Sequence, residues 1–158
     1  MADDKKKLQL AQKVYNDFCA MLDEHHWTYD KMDNLVIETG ARGDDLGMDI
    51  TIKVDADRQL VILHSPMPFT VPENMRKEMA VAVSCANHGM VDGDFDYDYE
   101  TGKIYFRLTT SFRDSLVSQE VFAYVIGVSC NTIDDYNDKF LMVVKKNMTI
   151  DEILNFIQ

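Results

Sequence analysis

The stretch Asp92–Leu108, DGDFDYDYETGKIYFRL, constrains the fold more than any other part of the sequence. Acidic and aromatic residues alternate with a period of two up to Tyr99, and a turn containing glycine leads into a second alternating run. Side chains of a β-strand point alternately to the two faces of a sheet, so this period predicts strands with one apolar face. We therefore expect a β-hairpin with an aromatic inner face and an acidic outer face.

Two registers of this hairpin are compatible with the sequence. A two-residue turn at Thr101-Gly102 would place Asp96 opposite Arg107. A four-residue turn at Tyr99–Gly102 would place Asp94 there instead. Both registers keep the aromatic face inside and set opposite charges across the two strands, which stabilises an antiparallel pair. The sequence does not choose between them.

The same aspartates raise the alternative of a metal site formed by Asp94, Asp96 and Asp98. A calcium loop of the EF-hand type needs glycine at its sixth position and glutamate at its twelfth. Counted from Asp94, both positions hold tyrosine. Successive carboxylates on one strand face also stand about 7 Å apart, which is loose for a single ion. The acidic face is the favoured interpretation, and a calcium- or small-ligand-responsive regulator using Asp92–Glu100 is the alternative function.

Helical spacing of apolar residues predicts helices in much of the remaining sequence. They cover residues 5–25, residues 70–88, a long segment from about Ser118, and residues 149–158. Two capping boxes support their starts, Thr70 with Glu73 and Thr149 with Glu152. In such a box the two side chains satisfy each other's backbone N–H groups at the beginning of a helix.

Three further strands are predicted over residues 35–39, 48–54 and 60–65. The last of these is a nearly continuous apolar run, which is typical of a central strand covered on both faces. The three prolines that follow, Pro66, Pro68 and Pro72, are then expected to end the sheet, because proline cannot donate a ladder hydrogen bond. The chain is thus predicted to be one α+β domain over residues 1–158 with the order α-β-β-β-α-β-β-α-α. Short connections imply antiparallel strands.

The charge balance limits the possible partners. With 27 acidic and 16 basic residues the net charge is −11, and such an acidic surface repels nucleic-acid phosphates. No stretch approaches the roughly 20 apolar residues of a membrane span, and no apolar run of a signal peptide follows the charged N-terminus. The three cysteines form no CxxC pair. We therefore expect no nucleic-acid or membrane partner and a cytoplasmic location with reduced thiols.

The sequence carries no recognisable catalytic motif. It lacks the GxSxG, GxGxxG, GxxxxGK[ST] and HExxH patterns, which would indicate a nucleophilic serine, a dinucleotide site, a phosphate loop and a zinc site. Its four histidines, His25-His26, His64 and His88, lie at three separate places in the sequence, without a carboxylate at a fixed spacing. We predict no catalytic residue, no cofactor and no metal, and hence a protein that is not an enzyme.

The segment Ala86–Leu108 resembles the YbjN family, whose members are described as bacterial sensory transduction regulators. In it a helix ends in asparagine, and a strand of alternating acidic and aromatic residues leads through a glycine turn to a strand with an arginine. The following helix, SLVSQEVFAYVIGVSCNTIDDYNDKF, and the element order over residues 5–145 match as well. The resemblance implies a fold like that of type III secretion chaperones, with an antiparallel five-stranded sheet packed against helices, often assembled as a homodimer. Residues 149–158 form an extra C-terminal amphipathic helix without a counterpart in the family pattern.

These observations predict a non-enzymatic, chaperone-like or regulatory module that binds a segment of a partner protein in an apolar groove or at a sheet edge. The candidate contact residues are Met67, Phe69, Ile150, Ile153 and Ile157. The first two lie in the proline-containing segment, where apolar side chains are less needed for the core. The isoleucines form the apolar face of the last helix. The apolar surface of the last two helices also predicts a homodimer through a helix or a sheet edge.

Overall fold

A computed structural model describes residues 2–44 and 46–157, without the side chains of residues 2 and 3. The described residues do not include positions 1, 45 and 158. Positions 1 and 158 are the two ends of the predicted domain, and position 158 is also the end of the predicted last helix. The helices are α1 (Ala2–Glu24), α2 (Arg76–Gly89), α3 (Gln119–Lys145) and α4 (Ile150–Phe156), with a 3₁₀ turn at Glu73–Met75. The strands are β1 (Tyr29–Met32), β2 (Val36–Arg42), β3 (Gly47–Asp55), β4 (Leu60–Thr70), β5 (Asp94–Asp98) and β6 (Lys103–Ser111).

In the described part of the chain the strands form one antiparallel sheet in the order β1-β2-β3-β4-β6-β5. The predicted α+β class with an antiparallel sheet is confirmed. The predicted number of five strands is wrong, because β1 adds a sixth strand at the edge. This strand pairs from Tyr29 opposite Thr39 to Met32 opposite Val36. Its sequence, YDKM, has no apolar alternation. Pairing with β2 holds its backbone, and the Tyr29 hydroxyl joins it to α1 by donating to the Asp23 carboxylate at 2.9 Å.

The β5–β6 hairpin adopts the four-residue turn. Asp94 lies opposite Arg107, and Asp98 lies opposite Lys103. The carboxylate of Asp98 closes the turn by accepting hydrogen bonds from the backbone N–H and the hydroxyl of Thr101, at 3.2 and 2.6 Å. An aspartate that bonds the backbone ahead of it stabilises a turn in this way. Local turn chemistry therefore decides between two registers that the strand pattern alone leaves equal.

Strand β4 does not end at the prolines as the sequence predicted. It continues through Pro66 and Pro68 to Thr70. Pairing of β3 with β4 stops at His64, and the Ser65 hydroxyl donates instead to the Asp49 carbonyl, at 2.7 Å. Beyond this point β4 has a ladder partner on one side only, where a missing N–H donor is tolerated.

The predicted capping box at the start of α2 is also wrong. Thr70 is the last residue of β4, and the 3₁₀ turn that begins at Glu73 has Pro72 at its N-cap with no side-chain hydrogen bond. The chain stays extended here instead of forming the capping box, because the Val71 N–H donates to the Gly102 carbonyl in the hairpin turn, at 2.8 Å. The other predicted box, Thr149 with Glu152, is present at α4.

Helices cover one face of the sheet. α1 contacts β3, α2 contacts β5, and α3 contacts β4 and β6, while α4 packs on α2. The side chains of β3 alternate accordingly, with Ile50 and Ile52 buried and Asp49 and Lys53 exposed. Ile62 of β4 is only half-buried, so the prediction that this strand is covered on both faces is wrong. Among the described helices, none is long and apolar enough to cross a bilayer.

The connection between β2 and β3 docks on α3 through Asp134. Its carboxylate accepts the Asp44 backbone N–H, with N–O distances of 3.1 and 3.3 Å to the two oxygens. A Cβ atom placed on Gly43 would overlap this carboxylate. The absence of a side chain at Gly43 is thus a condition for the contact.

We expect Gly43→Ala to lower the free energy of unfolding by about 1–3 kcal/mol, because the new methyl group displaces Asp134 from the loop. Gly47→Ala is the matched control in the same hairpin, since a Cβ there meets no atom within 4 Å. Urea unfolding of both variants measures the difference. Equal stabilities of the two variants would contradict this account of the loop.

Candidate functional site

A bulge in β4 opens a cavity on the side of β6. Pro66 pairs with Tyr105 and Thr70 pairs with Lys103, so three residues of β4 lie opposite one residue of β6. Extra residues of this kind bend a strand away from its partner and redirect its side chains. The cavity has a volume of about 260 Å³. It is lined by residues 66–70 of β4 and 103–105 of β6.

The structure separates the predicted contact residues into two groups. Met67 is 5% exposed, and Ile153 and Ile157 are 0% and 1% exposed. These three belong to the core of the same chain, where the alternation of β4 and the inner face of α4 place them. Phe69 is half-buried and lines the bulge cavity, and Ile150 is 44% exposed on the outer face of α4. Of the five residues, these two expose the most side-chain surface.

The acidic face of the hairpin is organised around Arg107. Its guanidinium group lies 3.2 Å from the Asp94 carboxylate and 3.0 Å from the Asp96 carboxylate. Asp98 is engaged by its own turn, and the hydrogen bonds from Thr101 lower the pKa of its carboxyl. Arg107 thus holds two of these carboxylates, and the turn holds the third.

Residues 2–44 and 46–157 contain no group of three or more histidine, cysteine, aspartate or glutamate side chains placed to hold a metal ion. The alternative calcium site at Asp94, Asp96 and Asp98 therefore has no geometric support. Opposite charges across the hairpin are the better explanation of the acidic pattern, as the cross-strand pairing rule predicts.

His64 of β4 stacks on Tyr105 of β6 beside this ion pair. The two rings are 4.7 Å apart between centroids and 15° from parallel, and His64 lies directly opposite Arg107 in the ladder. Burial is the main cause that lowers the pKa of His64, and the Arg107 charge acts in the same direction. The Asp96 charge opposes both. The sequence reasoning did not find this pair, because it depends on the pairing of β4 with β6.

A second cavity of about 590 Å³ lies on the same face of the sheet. It is lined by Arg58, Leu60, Ile62, Gly93, Asp94, Arg107 and Thr109. Together with the bulge cavity and the ring pair it forms a surface along β4 and β6 that no helix covers in the described part of the chain. We call it the open-face surface. It combines aliphatic, aromatic and charged groups, and it contains no arrangement of a nucleophile and a base.

One edge of the sheet is closed by a side chain. The Asn87 amide of α2 donates to the Phe95 carbonyl at 3.0 Å, and its oxygen accepts the Phe95 N–H at 2.8 Å. The amide thus takes the two backbone positions that an added strand would use at this point of β5. Blocking an edge strand in this way prevents pairing with another chain.

Comparison with known proteins gives similarity at the level of the fold. No family model matches the chain, and no curated protein sequence matches it. YbjN of E. coli, whose structure was described as that of a candidate transcription regulator, has a TM-score of 0.57 and 15% identity, over 84% of this chain and 90% of its own. A chain of the HopA1–SchA chaperone–effector complex has a TM-score of 0.57 and 10% identity, over 82% of this chain and 94% of its own. The predicted resemblance to YbjN and to a secretion-chaperone fold is confirmed for the architecture.

His64 gives a pH-dependent prediction. Because its pKa is lowered in the folded chain from the ordinary value of 6.5, the unfolded chain takes up the proton first and stability falls as pH falls through that value. We expect the melting temperature of the wild type to drop more between pH 8 and pH 5.5 than that of His64→Gln. His88→Gln, at an exposed helix end, is the control. Parallel pH profiles of the wild type and His64→Gln would contradict the assignment.

Proposed function

We propose that this chain is a non-enzymatic, chaperone-like or regulatory module that binds a segment of a partner protein. The observation that carries the proposal is the fold it shares with a chain of a chaperone–effector complex, over 82% of this chain and 94% of the other. Another structural neighbour is described as a regulator. Neither description is that of an enzyme, which supports a role in binding.

The open-face surface is the proposed place of contact. The half-buried Phe69 in the bulge cavity and the stacked His64 and Tyr105 provide apolar and aromatic area, and Arg107 provides polar contacts at the rim. Such a mixture of an aromatic centre and a charged rim is typical of protein interfaces. Since Asn87 occupies the edge of β5, the partner segment lies across the face of the sheet rather than extending it at that edge.

We propose a homodimer as the assembled form. α4 exposes Ile150 and Leu154 by 44% and 42%, one helical turn apart, while its inner face is buried in its own chain. Two such ridges, related by a two-fold axis, would bury each other. The proposed setting is the cytoplasm, which the three free cysteines support, because thiols persist in a reducing compartment.

A photo-crosslinking experiment tests the proposed function. With p-benzoylphenylalanine at Thr70, on the rim of the bulge cavity, we expect a discrete covalent adduct with one protein in cells of the source organism. The same group at Asn16, on the exposed side of α1, is the control and should give none. Phe69→Ser should reduce the adduct at position 70. An absence of adduct there, or the same products at both positions, would contradict the proposal.

Light scattering tests the assembly. The mass should be twice the chain mass of 18.2 kDa, and Ile150→Glu with Leu154→Glu should return it to that of one chain, since two charges replace the apolar ridge. Leu8→Glu, at another exposed apolar position of 55% exposure, should leave the dimer intact. A wild type of single-chain mass would refute the homodimer.

A further inference from the structure

α3 carries a second apolar stripe on the side turned away from the core. Val121, Tyr124 and Val128 recur at i, i+3 and i+7, which is the spacing of one helix face. Val121 and Tyr124 are 39% and 55% exposed, whereas Phe122 of the inward stripe is fully buried. Val121 and Tyr124 thus retain apolar surface that the described part of the domain does not cover, whereas Val128 is half-buried.

The connection between α2 and β5 lies against this stripe. The Tyr124 hydroxyl donates to the Asp92 carboxylate at 2.5 Å, joining the helix to the connection. Next to this bond Val91 is 95% exposed. A cavity of about 170 Å³ lies between the two elements, lined by Met90, Val91, Asp92, Val128, Thr132, Asp135 and Tyr136. We call the surface formed by Val91, Asp92, Val121, Tyr124, Val128 and Asp135 the α3–loop patch.

The exposure of Val91 is notable because the connection is held in place. Asp92 is tied to Tyr124, and Asn87 before it is tied to Phe95. A valine held beside the cavity keeps its apolar surface in water until a partner covers it, which favours binding. The patch is thus pre-formed, so little ordering is required when it binds.

The charge of the patch determines the chemistry of its partner. Asp92 and Asp135 line the cavity and Glu120 precedes Val121 on α3. The nearby ammonium group of Lys139 lies 4.9 Å from the centroid of the Tyr136 ring. Carboxylates therefore outnumber cations around the apolar stripe, on a chain whose net charge is −11. Complementary potentials favour a partner that carries positive charge.

The same charges argue against other occupants. In a symmetric contact with a second copy, the patch would meet itself and oppose its own carboxylates. Anionic lipid surfaces attract basic clusters rather than acidic ones, and nucleic-acid phosphates are repelled in the same way. A protein segment that alternates apolar residues with lysine or arginine satisfies both the stripe and its charge.

We propose that the α3–loop patch docks a basic, apolar segment of a partner protein. Apolar side chains of the segment cover Val91, Tyr124 and Val128, and its cations pair with Asp92 and Asp135. The proposal rests on the proposed function in one respect, that the chain binds proteins. It adds a second surface, distinct from the open-face surface, and the chemistry of what binds there.

Fluorescence anisotropy with the full chain tests this inference. The probe is a short fluorescein-labelled peptide of leucine and lysine in helical period, and the reference peptide has glutamate in place of each lysine. We expect the lysine peptide to bind and the glutamate peptide not to bind. The double variant Val91→Ser/Asp135→Asn should raise the Kd for the lysine peptide about tenfold, since it removes an apolar contact and an ion pair.

The matched control is Leu8→Ser/Glu24→Gln, which removes one exposed apolar side chain and one exposed carboxylate on α1. It should change the Kd for the lysine peptide by less than about twofold, because salt screens the effect of a charge that lies away from the binding surface. Equal weakening by both double variants, unchanged binding by Val91→Ser/Asp135→Asn, or no binding of the lysine peptide would overturn the inference. An adduct at Thr70 together with any of these results would leave the proposed function intact and remove only this surface.

Discussion

Burial of one face of the sheet against α1, α2 and α3 is the constraint on which the rest of the structure depends. Phe95 and Phe106 point inward as a pair, with ring centroids 5.4 Å apart, and are 3% and 0% exposed. Since strand side chains alternate, a slip by one residue would turn both rings to solvent. The apolar packing thus fixes which face the acidic residues occupy, while the turn closed by Asp98 fixes that Asp94 lies opposite Arg107.

Some features that depend on local sequence were predictable, although the capping box expected at Thr70 was not formed. The hairpin, the start of α3 with Ser118 at its N-cap, and the capping box at Thr149 all follow from signals within a few residues. Features that depend on residues distant in sequence but adjacent in the fold were not predictable. β1 has no apolar alternation and exists because β2 offers it an edge. β4 continues through Pro66 because β3 has already diverged from it, which a sequence pattern does not reveal.

The candidate surfaces show the same division. Periodicity identified Ile153 and Ile157 as one apolar face, but periodicity does not say whether such a face meets its own chain or another. The outer stripe of α3 is visible in the sequence as Val121, Tyr124 and Val128, yet the longer inward stripe of the same helix obscures it. The approach of Val91 to this stripe, like the stacking of His64 on Tyr105, arises only when segments distant in sequence pack together.

The pairing of β4 with β6 joins two parts of the sheet that are each local in sequence. In the first part, β1 to β4 are neighbours in both the sequence and the sheet. The second part is the β5–β6 hairpin. The pairing of β4 with β6, which we call the seam, closes a loop of the chain that contains α2. Closure of such a loop costs chain entropy, which the contacts along the seam must offset. The bulge cavity and the ring pair of His64 and Tyr105 both lie on this seam. A ligand that recognises them therefore contacts both parts of the sheet at once and stabilises their pairing.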